Sequence, residues 1–203
     1  MSQQAEVQIC NLALGHVGES RVIQSLTEES EPARRCKLVY ADARDGLLEG
    51  HDWSFARRHA ILSLSGQPAP GLWLYAYARP ADAQAIRMVY DENTDLSLNQ
   101  ENKLFELGYG SEGERLIFTD VYQARCRYTA RITDATRFPQ TFLDALALKV
   151  AVQIAMPLTG SRQILQDVSQ RYAQMYYQAT LADASQSARR YDEWDAGHIA
   201  ARS

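Results

Sequence analysis

The chain has 203 residues, 46% hydrophobic and 23% charged, with a formal net charge of −4. That is enough apolar material for a core without metal or disulfide support, and Cys10, Cys36 and Cys126 are too few and too far apart for a disulfide framework. The cations are scattered, predicting no basic face for nucleic acid; no apolar run reaches the ~20 residues of a bilayer span, and the first residues lack the basic-then-apolar order of a secretory signal. A reducing aqueous compartment is expected.

In chain order, Ile9, Leu12, Ala13 and Val17 form one side of a helix over Ala5 to Val17, which Gly15 and Gly18 loosen and end. Val22, Ile23 and Leu26 make a short connector. Ser30, with Pro32 in the first turn, starts a second helix that buries Cys36, Val39, Tyr40, Ala43 and Leu47 and stops at Gly50. From Trp53 the period changes to two. Trp53 and Phe55, then Ala60, Leu62 and Leu64, alternate as in half-buried strands. Residues 66–71 (Gly-Gln-Pro-Ala-Pro-Gly) are a loop by composition.

Trp73, Tyr75 and Tyr77 share one side of an extended stretch that Pro80 ends. Ile86 to Tyr90, Leu104 to Leu107, Glu114 to Thr119 and Ala124 to Ile132 complete a small antiparallel sheet, with Asp91 to Asn102 an exposed hairpin loop. A helix over Thr141 to Met156 is apolar nearly all round and must be enclosed on most sides. Pro157 to Gly160 break it, and Thr159 or Ser161 caps a last helix whose inner seam is Ile164, Val168, Tyr172, Met175, Ala179 and Ala182. Past Ser185 the periodicity is lost.

Helices, then strands, then helices argue for an α+β chain. The expected architecture is a four-helix bundle, from an N-terminal pair (1–52) and a C-terminal pair (135–185). A small antiparallel β subdomain (53–134) is inserted between them, and an extended arm (186–203) follows.

Chemistry is thinly represented. Gly108-Tyr109-Gly110-Ser111-Glu112-Gly113 has the G-x-G-x-x-G spacing, but a dinucleotide site needs a helix to follow, and Arg115 to Phe118 read as a strand. A hairpin turn is expected instead. His16, His51, His59 and His198 show no metal-ligand spacing, and Ser63 and Ser65 lack the glycine-flanked elbow of a hydrolase serine. No cofactor, metal or catalytic residue is assigned. Paired carboxylates of a cell-wall or glycan hydrolase, or a small helical regulator or chaperone, are the rival readings. The terminal arm is different, because Tyr191, Trp194 and Ile199 are large apolar groups with no core of their own, which reads either as a disordered end or as an arm that docks on a partner.

Asn11 to Glu19 (Asn-Leu-Ala-Leu-Gly-His-Val-Gly-Glu), His51 to Ala56, Trp73 to Tyr77, Arg79-Pro80-Ala81-Asp82 with Ile86-Arg87, Thr133 to Phe138, and Phe142 to Ser161 occur in a set order. In that order the chain resembles the tail tubular protein A and head-to-tail adaptor family of short-tailed bacteriophages, from about Ile9 to Ala184. The resemblance implies a structural virion protein of the tail or neck, made in the host cytoplasm. It implies a ring of twelve copies below the portal protein, extending the DNA channel and offering a platform for the tail nozzle or tail tube protein. Genomic DNA would pass through without sequence-specific binding, and no membrane would be entered. On that expectation Arg189, Arg190, Tyr191, Trp194 and Ile199 form a portal-binding arm. Asp91, Glu92, Asn93, Asn99 and Tyr109 form a loop facing the nozzle.

Overall fold

The computed structural model describes residues 2–94 and 103–200, with side chains for 3–94 and 103–185. Its helices are α1 (Ser2–His16), α2 (Glu31–Gly50), α3 (Gln140–Thr159) and α4 (Arg162–Ala200). Its strands are β1 (Arg57–Ile61), β2 (Tyr75–Ala78), β3 (Ala83–Tyr90), β4 (Phe105–Tyr109), β5 (Arg115–Thr119) and β6 (Arg125–Ala130). The chain divides into two compact units, residues 1–55 with 132–203, and residues 56–131.

The helical unit is built on α3. Helices α1, α2 and α4 each pack along it, while α1 and α2 meet sparsely, around the hydrogen-bonded thiols of Cys10 and Cys36. The expected bundle of an N-terminal and a C-terminal pair therefore does not form. The reason lies in α3 itself: Phe142, Ala145, Leu146, Val150, Ala151 and Ile154 are fully buried on a helix apolar all round, which gains most by recruiting three neighbours. By length and composition alone α3 would suit a bilayer span; here α1, α2 and α4 pack along it and half of its apolar window is buried.

Local signals set the helix limits. Ser30 Oγ accepts from Ala33 N–H at 3.3 Å and Pro32 occupies the first turn of α2, as a capped start requires. Pro157 does not break α3 as expected. It lies in the last turn, and the helix runs past it, one backbone bond short, to Gly160 in the left-handed region (φ 64°). Ser161 Oγ then accepts from Ile164 N–H at 3.3 Å to open α4. The expected seam of α4 is present, with Val168 and Ala179 buried and Arg162, Gln166, Asp167, Gln170, Arg171 and Gln174 exposed. The backbone of α4 stays helical to Ala200, so the segment expected to leave as an extended arm continues the helix.

The second unit holds two three-stranded antiparallel sheets, ordered β1-β6-β3 and β2-β5-β4, where one small sheet was expected. Trp53 and Phe55 belong to neither. A single 3-10 turn over Ser54–Ala56 aims both rings into the helical unit, so their alternation was not that of a strand. Between β4 and β5 the G-x-G-x-x-G stretch is a hairpin turn: Gly110 N–H donates to Glu114 C=O at 2.9 Å, and Gly113 has φ 81°. Gly108 is required for a different reason, since a Cβ there would lie 2.5 Å from the Phe118 ring.

Candidate functional site

The residues that carry the ordered motifs are brought together as structural joints. In the first motif, Asn11 uses both ends of its amide on the connector: Oδ1 accepts from Ile23 N–H at 2.9 Å and Nδ2 donates to Ile23 C=O at 3.0 Å. In the strand unit Asp82 collects Arg58 Nη1 at 2.6 Å and Tyr128 Oη–H at 3.0 Å. Its carbonyl accepts from Arg131 N–H at 2.7 Å. Arg79 Nη2 ties the Ala83 and Gln84 carbonyls at 2.9 and 2.7 Å.

The densest joint lies in the helical unit, where the stretch after α2 meets α4. Asp183, whose side chain is 8% exposed, accepts from Ser54 N–H at 3.0 and 3.1 Å and from Ser54 Oγ–H at 2.6 Å. His51 Nε2 is 3.3 Å from the same carboxylate. Two helical turns earlier, Tyr176 Oη–H donates to Gly50 C=O at 2.9 Å. Trp53 sits between them, with Nε1–H donating to Leu47 C=O at 2.8 Å. Its ring stacks edge-on against Phe142, at 5.1 Å between centroids.

Serine, histidine and aspartate therefore converge, but in an order without hydrolytic use. Ser54 Oγ gives its hydrogen to the carboxylate rather than to His51, so the serine-to-imidazole contact of a catalytic triad is not made. The arrangement is a clasp on α4. Sequence reading missed Asp183 because 129 residues separate it from Ser54 and no spacing rule connects them.

A groove of about 360 Å³ runs between α1 and α4 over α3, lined by Leu12, His16, Asp144, Leu148, Arg171 and Met175 among others. Leu12, expected on the inner stripe of α1, is 49% exposed and faces this groove. Arg171 Nη2 donates to His16 Nδ1 at 3.2 Å, which requires a neutral imidazole. Burial, and then the Arg171 charge, hold the His16 pKa below its ordinary 6.5, against an opposing pull from Asp144.

The sign follows from linkage. The folded state binds this proton more weakly than the unfolded chain, so protonation favours unfolding. The contribution is present above pH 6.5 and is lost as pH falls through the lowered folded value. His16→Gln is expected to show a smaller drop in urea midpoint between pH 7 and pH 5 than the wild type. An equal drop would remove His16 as the source.

Of the residues expected to face a tail component, Asp91, Glu92 and Asn93 form one tight turn. Asp91 Oδ1 accepts from Asn93 N–H at 3.0 Å and Thr94 Oγ1–H at 2.8 Å, and the Thr94 bond leads in holding its carboxyl below the usual range. Tyr109, 71% exposed, is at the far end of β4 from Lys103, the residue whose Nζ lies 3.6 Å from Asp91. The strand puts about 14 Å between the two ends of β4, so these residues do not form one cluster. Asn99 lies outside the described residues. So do the side chains of Arg189, Arg190, Tyr191, Trp194 and Ile199, although their backbone belongs to α4. Near one end of the β2-β5-β4 sheet, Leu72, Leu74 and Leu104 are 89%, 72% and 81% exposed. Among the described residues no group of three or more His, Cys, Asp or Glu is placed to hold a metal ion.

In comparisons with known proteins, no family model and no curated protein matches the chain.

Proposed function

We propose that the protein is a structural assembly adaptor of the head-to-tail type, which docks on a portal ring through α4 and offers its strand unit to the next tail component. The observation that carries this reading is the length of α4, 39 residues against 20 for α3. At 1.5 Å per residue α4 outruns its partner by nearly 30 Å. A helix of that length gains little stability where it lacks a neighbour, so its last turns are expected to find one in another chain. The Asp183 clasp supports the same reading, since it fixes the direction in which those turns leave the body.

Two further features agree. The ordered motifs that resemble the adaptor family coincide with the joints of this fold, at Asn11, Ser54 and Asp82. Leu72, Leu74 and Leu104 expose apolar side chains near one end of the β2-β5-β4 sheet, where a partner could cover them. In the assembled ring, which the resemblance puts at twelve copies, DNA passes without sequence readout and no catalytic step is involved.

The test is negative-stain microscopy of this chain mixed with its cognate portal, beside a chain ending at residue 185. The full chain should add a layer of density below the portal and the shortened one should not. A bare portal with the full chain would overturn the adaptor reading. Equal binding by both chains would overturn the role of α4 alone.

A further inference from the structure

Among the described residues the two sheets leave four edges, and three of them are guarded. Outside β2, Ser65 N–H donates to Ala76 C=O at 2.9 Å and Ala78 N–H donates to Ser63 C=O at 2.8 Å. Outside β3, Arg79 holds the Ala83 and Gln84 carbonyls, Lys103 N–H donates to Val89 C=O at 3.0 Å, and two register shifts break the line of the strand. The β1 edge is lined by Arg57, Arg58 and His59, and a charged edge resists pairing. Strand β4 has none of these devices. It pairs with β5 in unbroken register from Phe105 to Tyr109, and its one charged residue, Glu106, accepts from Trp73 Nε1–H at 2.9 Å. Gly110 N–H donates to Glu114 C=O. The alternation of an antiparallel ladder then turns Gly108 and Glu106 toward β5, and the backbone groups of Phe105, Leu107 and Tyr109 outward. Among the described residues nothing donates to or accepts from that outward row.

We propose that a second copy of this chain pairs with that edge, β4 against β4, antiparallel about Leu107. An outward row of alternating N–H and C=O groups is complemented by another extended backbone, and this strand matches itself. Centred on Leu107, the pairing sets Phe105 opposite Tyr109 of the second copy, Glu106 opposite its Gly108, and Leu107 opposite its Leu107. Lys103 falls opposite Ser111, so no charge meets its like. The paired odd-numbered residues are those whose backbone faces outward, so each pair can exchange both of its bonds. Their side chains share one face. Leu107 is 45% exposed and Tyr109 71% exposed, and the aromatic and leucine pairs across the new ladder cover them. The β2-β5-β4 sheets of the two copies become one.

The inference concerns the free chain and does not depend on the adaptor reading, so its test needs no portal. Sedimentation equilibrium of the full chain should show monomer giving way to dimer as concentration rises into the hundreds of micromolar, since two short strands bury less than a standard interface. Leu107→Pro removes an N–H that β5 does not use, so it should keep the wild-type circular dichroism while losing the dimer. L107K and L107E each set like charges opposite one another across the two-fold axis, and each alone should weaken the dimer about tenfold or more. Mixed in equal amounts they should pair again, a gain that misfolded variants cannot produce. A wild type that is monomeric at every concentration, a dimer that L107K leaves unchanged, or a mixture that fails to pair would each overturn the proposal. A monomeric wild type that binds a labelled peptide of alternating valine and threonine, with L107P abolishing that binding, would overturn it in favour of a strand from another protein.

Discussion

Phe142→Ala is expected to lower stability by about 4 kcal/mol, near the upper part of the range for burying and then deleting a large aromatic ring. The ring is fully buried and touches three others, Trp53 at 5.1 Å, Phe55 at 5.0 Å and Phe138 at 4.8 Å between centroids. Those neighbours come from separate stretches, one after α2 and one before α3. The walls of the new cavity are therefore held by different elements and cannot easily collapse into it. Urea unfolding followed by tryptophan fluorescence would read the loss as a lower midpoint at unchanged slope. Leu38→Ala, at a position 69% exposed on α2, should change little. A loss under about 1 kcal/mol for Phe142→Ala would mean that the aromatic cluster is not the core it appears in this geometry.

Asp183→Ala should cost about 3 kcal/mol, because it removes the acceptor of both the Ser54 N–H and the Ser54 hydroxyl at a carboxylate only 8% exposed. Asp183→Asn retains one carbonyl acceptor and should lose roughly half as much. The local signature is sharper than the global one. Hydrogen exchange at the Ser54 amide should accelerate in Asp183→Ala, and the turns of α4 around Thr180 should open more readily. Unchanged protection at Ser54 would show that the clasp does not hold this end of α4.

Much of the fold was legible where a signal is local. Ser30 with Pro32, Gly160 and the seam from Ile164 to Ala182 each rest on a cap or a period, and each stands where those rules put it. Trp53 and Phe55 misled because two residues cannot tell a strand from a 3-10 turn. Pro157 misled because a helix packed along its length can carry a proline at the loss of one backbone bond, and α3 ends only two residues later, at Thr159. The division of six strands into two sheets, and the choice of α3 as the hub, depend on long-range pairing that leaves no periodic trace. The joints at Asp82 and Asp183 were unreadable for the same reason, although Asp82 itself and the Asp183 partners His51 and Ser54 stand inside the motifs that carried the family resemblance.

The sheet order β1-β6-β3 has a consequence for how the molecule reaches its folded state. Because β1 pairs with β6, with Arg57 opposite Thr129, the two ends of the 56–131 unit are held beside each other by that unit's own ladder. The helical unit is discontinuous, and bringing its halves together across a flexible segment of that length would cost on the order of 4 kcal/mol in chain entropy. A sheet that folds first bears that cost from its own hydrogen bonds and side-chain burial. The first two helices and the last two are then joined as though by a short tether, and the apolar α3 finds its neighbours at high local concentration.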